Sequence, residues 1–73
     1  MRKEEFDKIA RQQPFQPFEV RLVDGRIFRF KSSEQFIVTR SAIITVDEEA
    51  DGLLINLGLI ATIRVGNGRA VKA

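Results

Sequence analysis

Residues 18–31 carry the pattern that most constrains the fold of this chain. Every second residue of 18–22 is apolar, and residues 27–30 contain two phenylalanines at the same spacing. Between these segments stand Asp24 and Gly25, residue types that favour a tight turn. Alternation on both sides of a turn predicts an antiparallel β-hairpin.

Two turn lengths are compatible with this hairpin, and they differ in which side chains share a face. A two-residue turn would oppose Leu22 to Ile27 and put the two phenylalanines on the charged side. A three-residue loop, with Gly25 in the left-handed conformation, brings the large apolar side chains to one face. It also places Glu19 opposite Arg29, a favourable cross-strand ion pair. We therefore predict the second register, in which the facing pairs are Leu22–Arg26, Val20–Phe28 and Phe18–Phe30.

A short helix is predicted over residues 4–13, because Phe6, Ile9 and Ala10 recur at helical spacing. Pro14 ends it, since proline disfavours the helical conformation in the residue before it. A helix of about ten residues is not stable alone, so we expect it to dock on the β-structure.

The remainder of the chain predicts further short strands separated by turns. The strands are expected at about 18–23, 26–31, 36–39, 42–46 and 53–57, with a last short strand at 61–65. Gly58 predicts a kink before that last strand, and the tail after residue 65 is expected to be turn-rich and frayed. The predicted fold is one domain over residues 1–73, mainly β with one N-terminal α-helix. It is expected to form a small five-stranded antiparallel SH3-like or Sm-like barrel.

The lack of cysteine, histidine and tyrosine narrows the chemistry. Disulfides and thiolate metal sites need cysteine, and most zinc, copper and iron sites need histidine. Catalysis would have to rely on Ser, Thr, Lys or carboxylates. We therefore expect no enzyme, no metal and no cofactor. The carboxylates of residues 47–51 lack the spacing of a calcium loop, and we interpret them as a solvated acidic turn.

Small domains are commonly stabilised by disulfides, by a metal ion or by self-association. For this chain of 73 residues only self-association remains. Domains of this size rarely reach sufficient stability from one core alone, so we expect a homo-oligomer. Three apolar residues have no place in a single-sided strand pattern, and we predict that they lie at an oligomer interface: Ile37, Ile43 and Leu54. A helix docked over one sheet face is the alternative, and a different protein partner is also compatible.

Basic residues along the hairpin suggest a second function, the binding of single-stranded RNA. The candidate residues are Arg21, Arg26, Arg29 and Lys31. Phe15 and Phe36 are candidates for stacking on bases. An ordinary solvated strand face, partly neutralised by Glu19, is the interpretation we favour, since the net charge is only +2.

No segment has the roughly 20 apolar residues that a membrane-spanning helix needs. The charged start, residues 1–5, has no apolar stretch behind it, so we expect no signal peptide. The expected location is the cytoplasm, without membrane association.

Residues 13–28 read QPFQPFEVRLVDGRIF. This run resembles the opening of a set of short uncharacterised bacterial proteins, which have a Pro-Phe-x-Pro-Phe segment followed by an Asp-Gly-Arg hairpin. The resemblance implies a bacterial origin and no assigned activity.

The order of elements, and the closing stretch 54–63, are similar to the Sm-like RNA-binding barrels. Arg29 and Phe30 stand where those proteins have a glycine in the second strand. Residues 33–36 lack their RNA-contacting Asp and Asn, and residues 56–58 lack their Arg-Gly or Lys-His pair. This resemblance implies the barrel and not its nucleotide pocket. We therefore predict a non-catalytic, self-associating interaction module, with an Sm-like oligomeric RNA-binding protein as the alternative.

Overall fold

One helix followed by seven short strands makes up the part of the chain that the structure describes. The structure, a computed structural model, describes residues 1–46, 49–66, 68 and 70–72, with the backbone alone for Lys72. The elements are α1 (Lys3–Ala10), β1 (Phe18–Leu22), β2 (Ile27–Phe30), β3 (Phe36–Val38), β4 (Ala42–Val46), β5 (Gly52–Asn56), β6 (Ile60–Val65) and β7 (Ala70–Lys72).

The strands form two antiparallel sheets, a four-stranded one in the order β2-β1-β6-β7 and a three-stranded one in the order β3-β4-β5. The chain passes between them through two 3₁₀ turns, Ser33–Gln35 and Leu57–Leu59. The second turn confirms the kink expected at Gly58. A mainly β fold with one N-terminal helix is confirmed. The described strands do not close into one barrel, so the five-stranded barrel is not confirmed.

The β1–β2 hairpin has the predicted register. The facing pairs are Phe18–Phe30, Glu19–Arg29 and Val20–Phe28. Gly25 has a φ of 94°, a conformation that glycine adopts without steric cost. Its N–H donates to the carbonyl of Leu22 at 3.0 Å. Arg29 Nε donates to Glu19 Oε2 at 3.0 Å, so the predicted ion pair forms.

Helix α1 docks on the sheets through the apolar stripe that the sequence predicts. Phe6, Ile9 and Ala10 are all buried. The helix ends three residues earlier than expected, and the N–H of Arg11 closes it by donating to the carbonyl of Asp7 at 2.9 Å. Within the described residues, no helix reaches the length and apolar character that crossing a bilayer requires.

An aromatic cluster joins the helix to both sheets. Its rings belong to Phe6, Phe15, Phe18, Phe30 and Phe36, with neighbouring centroids 5.0 to 6.5 Å apart. Phe6 meets Phe18 edge to face at 5.6 Å, the arrangement that the charge distribution of aromatic rings favours. Phe15 and Phe36 are half-buried and pack against this core.

Strand β7 was not predicted, because the tail was expected to fray. Residues 70–72 instead pair with β6, where Val71 faces Ile63. Gly66, which follows β6, lies close to Pro17, and its N–H donates to the carbonyl of Pro17 at 2.7 Å. A Cβ at Gly66 would lie 3.0 Å from that same oxygen, which explains the glycine.

Candidate functional site

The outer face of the three-stranded sheet is determined by the alternation of side chains along β4. Ile43 and Thr45 point into the core, whereas Ile44 and Val46 point outward. The Thr45 hydroxyl donates to the carbonyl of Gln35 at 2.7 Å, so this polar group is satisfied on the inner side.

An apolar row crosses this outer face from edge to edge. Ile37 of β3 faces Ile44 of β4, and Ile44 faces Leu54 of β5. Their exposed fractions are 66%, 41% and 66%, and Val46 beside them is 60% exposed. These exposures show that no described element packs over the row. We call these four residues the apolar face.

The interface residues predicted from the sequence are thus placed on two different sides of the sheet. Ile37 and Leu54 lie on the apolar face, but the prediction of Ile43 is wrong because this side chain is 0% exposed. Its neighbour Ile44 takes the outward position. Two isoleucines in succession give no alternation signal, and the polar Thr45 shares the phase of Ile43. The sequence pattern therefore predicted the wrong side of β4 for Ile43. The hydrogen bond of the buried Thr45 hydroxyl to Gln35 is a tertiary contact that the pattern does not contain.

Both outer strands of this sheet, β3 and β5, are edge strands. A shallow depression of about 310 Å³ runs along β3 and β4, and its lining includes Ile37, Ile44 and Val46. The apolar face thus has a concave border beside one open edge. Exposed apolar patches of this kind mark interaction sites in small proteins.

Two of the four predicted basic residues share the outer face of the hairpin, and the other two lie near its ends. Arg21 and Arg29 lie exposed on the outer face of the four-stranded sheet, while Lys31 is exposed just after β2. Arg26 lies at the turn, where its Nε is 2.8 Å from Asp24 Oδ2. Two of the four, Arg26 and Arg29, are therefore engaged in ion pairs with neighbouring carboxylates.

A basic residue that the sequence analysis missed, Arg64, joins Arg21 on this face. The β1–β6 register places Arg64 opposite Glu19 and Thr62 opposite Arg21. The four side chains line a shallow pocket of about 90 Å³. Residues 21 and 64 are far apart in the chain, so only the pairing of β1 with β6 reveals their proximity.

The pKa of Asp24 is lowered, which predicts a small loss of folding stability at acidic pH. The N–H of Arg26 donates to Asp24 Oδ1 at 3.0 Å, and this bond, with the nearby guanidinium, holds the pKa of the carboxyl below its usual value of 3.8. The stability that the carboxylate contributes is present above its unfolded pKa and is lost as the pH falls through the lowered folded pKa. We expect a carbon-detected NMR titration to show this lowered midpoint. In Arg26→Ala most of the lowering should persist, because the backbone donor remains; a midpoint at the usual value there would contradict this cause.

Within the described residues, no group of three or more acidic side chains is placed to hold a metal ion. Asp47 and Glu48 of the predicted acidic turn lie outside the described residues. The two outer sheet faces therefore carry the candidate chemistry, one apolar and one basic. No protein-family model, curated protein or solved structure matches this chain.

Proposed function

We propose that this chain is a non-catalytic interaction module that self-associates through the apolar face, with a second copy of the same chain as the occupant. The observation that carries the proposal is the exposed row of Ile37, Ile44 and Leu54 across the outer face of the three-stranded sheet, over which no described element packs. Its setting is proposed to be the cytoplasm, in keeping with a chain that uses no cysteine.

The energetics of burial favour this contact. Fully burying an isoleucine or leucine side chain is worth about 1.5–3 kcal/mol. Ile37 and Leu54 are each 66% exposed, so covering either one would recover roughly 1–2 kcal/mol. A second copy contributes the same side chains, which doubles the gain. The chain therefore obtains from association part of the stability that a core of this size does not supply alone.

A second copy is the occupant that the chemistry of this face fits best. An isologous contact places the same patch on both partners, so the patch must be self-complementary. A row of uncharged aliphatic side chains meets this condition without charge pairing. A partner recognised by charge would instead need ionised side chains within the row, and the row has none.

The second candidate is the Sm-like oligomeric RNA-binding protein, with its ring of barrels. Its support is the basic side of the four-stranded sheet, where Arg21 and Arg29 are exposed. We place it second for two reasons. Phe15 and Phe36 pack on the core, and Arg26 and Arg29 are already paired with carboxylates.

The self-association proposal is tested by Ile44→Asp and Leu54→Asp. A charge buried without a partner in an apolar interface costs about 3–5 kcal/mol, so each change should raise the dissociation constant at least about a hundredfold. Sedimentation velocity over a concentration series measures this directly. The matched control is Val23→Asp, because Val23 is 67% exposed and lies outside the apolar face. We expect the control to associate as the unaltered chain does.

Three outcomes would overturn the proposal. The unaltered chain could remain monomeric up to millimolar concentration, which would show that the apolar face does not bind a second copy. Both face variants could associate normally, which would assign the contact to another surface. The Val23→Asp control could dissociate as readily as Leu54→Asp, which would point to a general charge effect.

A further inference from the structure

The outer face of the four-stranded sheet carries two arginines on adjacent strands around a small pocket. Arg21 of β1 faces Thr62 of β6, and Arg64 of β6 faces Glu19 of β1. The two arginines are thus diagonal neighbours, about 7–8 Å apart at the backbone in a pair of this kind. Guanidinium groups on long side chains can converge on one anion from that separation.

The charges around this pocket are not balanced within the described residues. Glu19 is the one acidic side chain in its lining. That carboxylate is already held by Arg29 at 3.0 Å. Neither Arg21 nor Arg64 makes an ion pair with any described residue. An anion entering the pocket would therefore meet two guanidiniums without a competing carboxylate partner of their own.

We propose that this pocket binds a phosphate group, held by Arg21 and Arg64 with the Thr62 hydroxyl as a further donor. Guanidinium forks match the oxygens of phosphate and form charge-assisted hydrogen bonds with them. The pocket volume is about 90 Å³, whereas one water occupies about 30 Å³ in the liquid. A tetrahedral oxyanion fits in this shallow space.

The ligand is a free phosphate or a small phosphomonoester rather than a nucleic-acid strand. Base recognition in single strands relies on stacking platforms. The phenylalanines of β1 and β2 point to the opposite side of the sheet from Arg21 and Arg29, as the strand alternation requires. This site lies on a different sheet from the apolar face, so it does not depend on self-association.

The test is an NMR titration with inorganic phosphate and, separately, with adenosine 5′-monophosphate, both at constant low ionic strength. Saturable shifts are expected for the side-chain N–H groups of Arg21 and Arg64 and for the amides around Thr62. Arg64→Gln should weaken binding about tenfold, since one of two charge-assisted contacts is lost. Glu19→Gln should strengthen binding about threefold, because it removes a carboxylate that repels the anion from the pocket lining. Arg40→Gln, which removes an exposed arginine outside the pocket lining, is the matched control and should change nothing.

The results separate the possible ligands and the failures. Binding of both probes assigns a phosphomonoester, and binding of inorganic phosphate alone assigns the free ion. Shifts that stay linear, or that fall equally in Arg64→Gln and Arg40→Gln, overturn the site. A single-stranded RNA oligomer that binds far more tightly than phosphate, and that also depends on Arg26 and Lys31, overturns it in favour of an RNA surface. Sedimentation reports on the apolar face separately, so failure at one face is distinguishable from failure at the other.

Discussion

Ile43→Ala is expected to lower the free energy of unfolding by about 2–5 kcal/mol, because it leaves a cavity in a closely packed core. Ile43 is 0% exposed, whereas the adjacent Ile44 is 41% exposed. The same change at Ile44 should cost about 1–2 kcal/mol, as only partial burial is lost. The pair is a matched test, since both residues are isoleucines in the middle of β4.

Urea unfolding followed by circular dichroism measures this contrast, since the chain has no tryptophan or tyrosine to report by fluorescence. The experiment should be run at one dilute protein concentration, because association stabilises the folded state by mass action. Equal losses for the two variants would contradict the inward position of Ile43 and the outward position of Ile44. The identity of the apolar face would then have to be reassigned.

Phe6→Ala is expected to remove most of the stability of this chain. Truncating a buried phenylalanine costs about 3–5 kcal/mol, which is comparable to the whole stability expected of a domain this small, about 3–5 kcal/mol. Phe6 is 0% exposed and its ring meets both Phe18 and Phe36 edge to face. Its loss removes the ring through which α1 contacts one strand of each sheet. Thermal unfolding by circular dichroism should show a folded baseline that is lost or strongly shifted to lower temperature.

Two further variants keep this prediction testable when Phe6→Ala does not fold. Phe6→Leu retains most of the volume and should cost less than about 1.5 kcal/mol. Phe28→Ala removes a half-buried ring that lies outside the aromatic cluster, so its cost should be clearly smaller than that of Phe6→Ala. Equal losses for Phe6→Ala and Phe28→Ala would show that the aromatic cluster is not what anchors the helix.

The features that could be predicted from the sequence are those that depend on neighbours in the chain. The β1–β2 register follows from a three-residue loop with a glycine at positive φ, and from the placement of apolar residues on one side. The helical stripe of Phe6, Ile9 and Ala10 and the kink at Gly58 are equally local. Each of these signals lies within about a dozen residues, where turn chemistry and side-chain periodicity act directly.

The candidate sites could be predicted only in part, because they combine residues from distant segments. Two of the three predicted interface residues, Ile37 and Leu54, lie on the outer face, whereas Ile43 is buried on the inner side of β4. The Thr45 hydroxyl shares that inner side and donates to the carbonyl of Gln35. Arg64 was missed because its place beside Arg21 depends on the pairing of β1 with β6.

By itself, the sequence determined the class of this protein: one helix, a hairpin of known register, short strands, and no cysteine or histidine chemistry. The tertiary structure decided how the strands divide into two sheets, that residues 70–72 add a strand to one of them, and which chemistry each outer face presents. The physical reason is that turns and periodicity are encoded between near neighbours. Sheet partners, and the burial of a polar group such as the Thr45 hydroxyl, depend on contacts that exist only once the chain has closed.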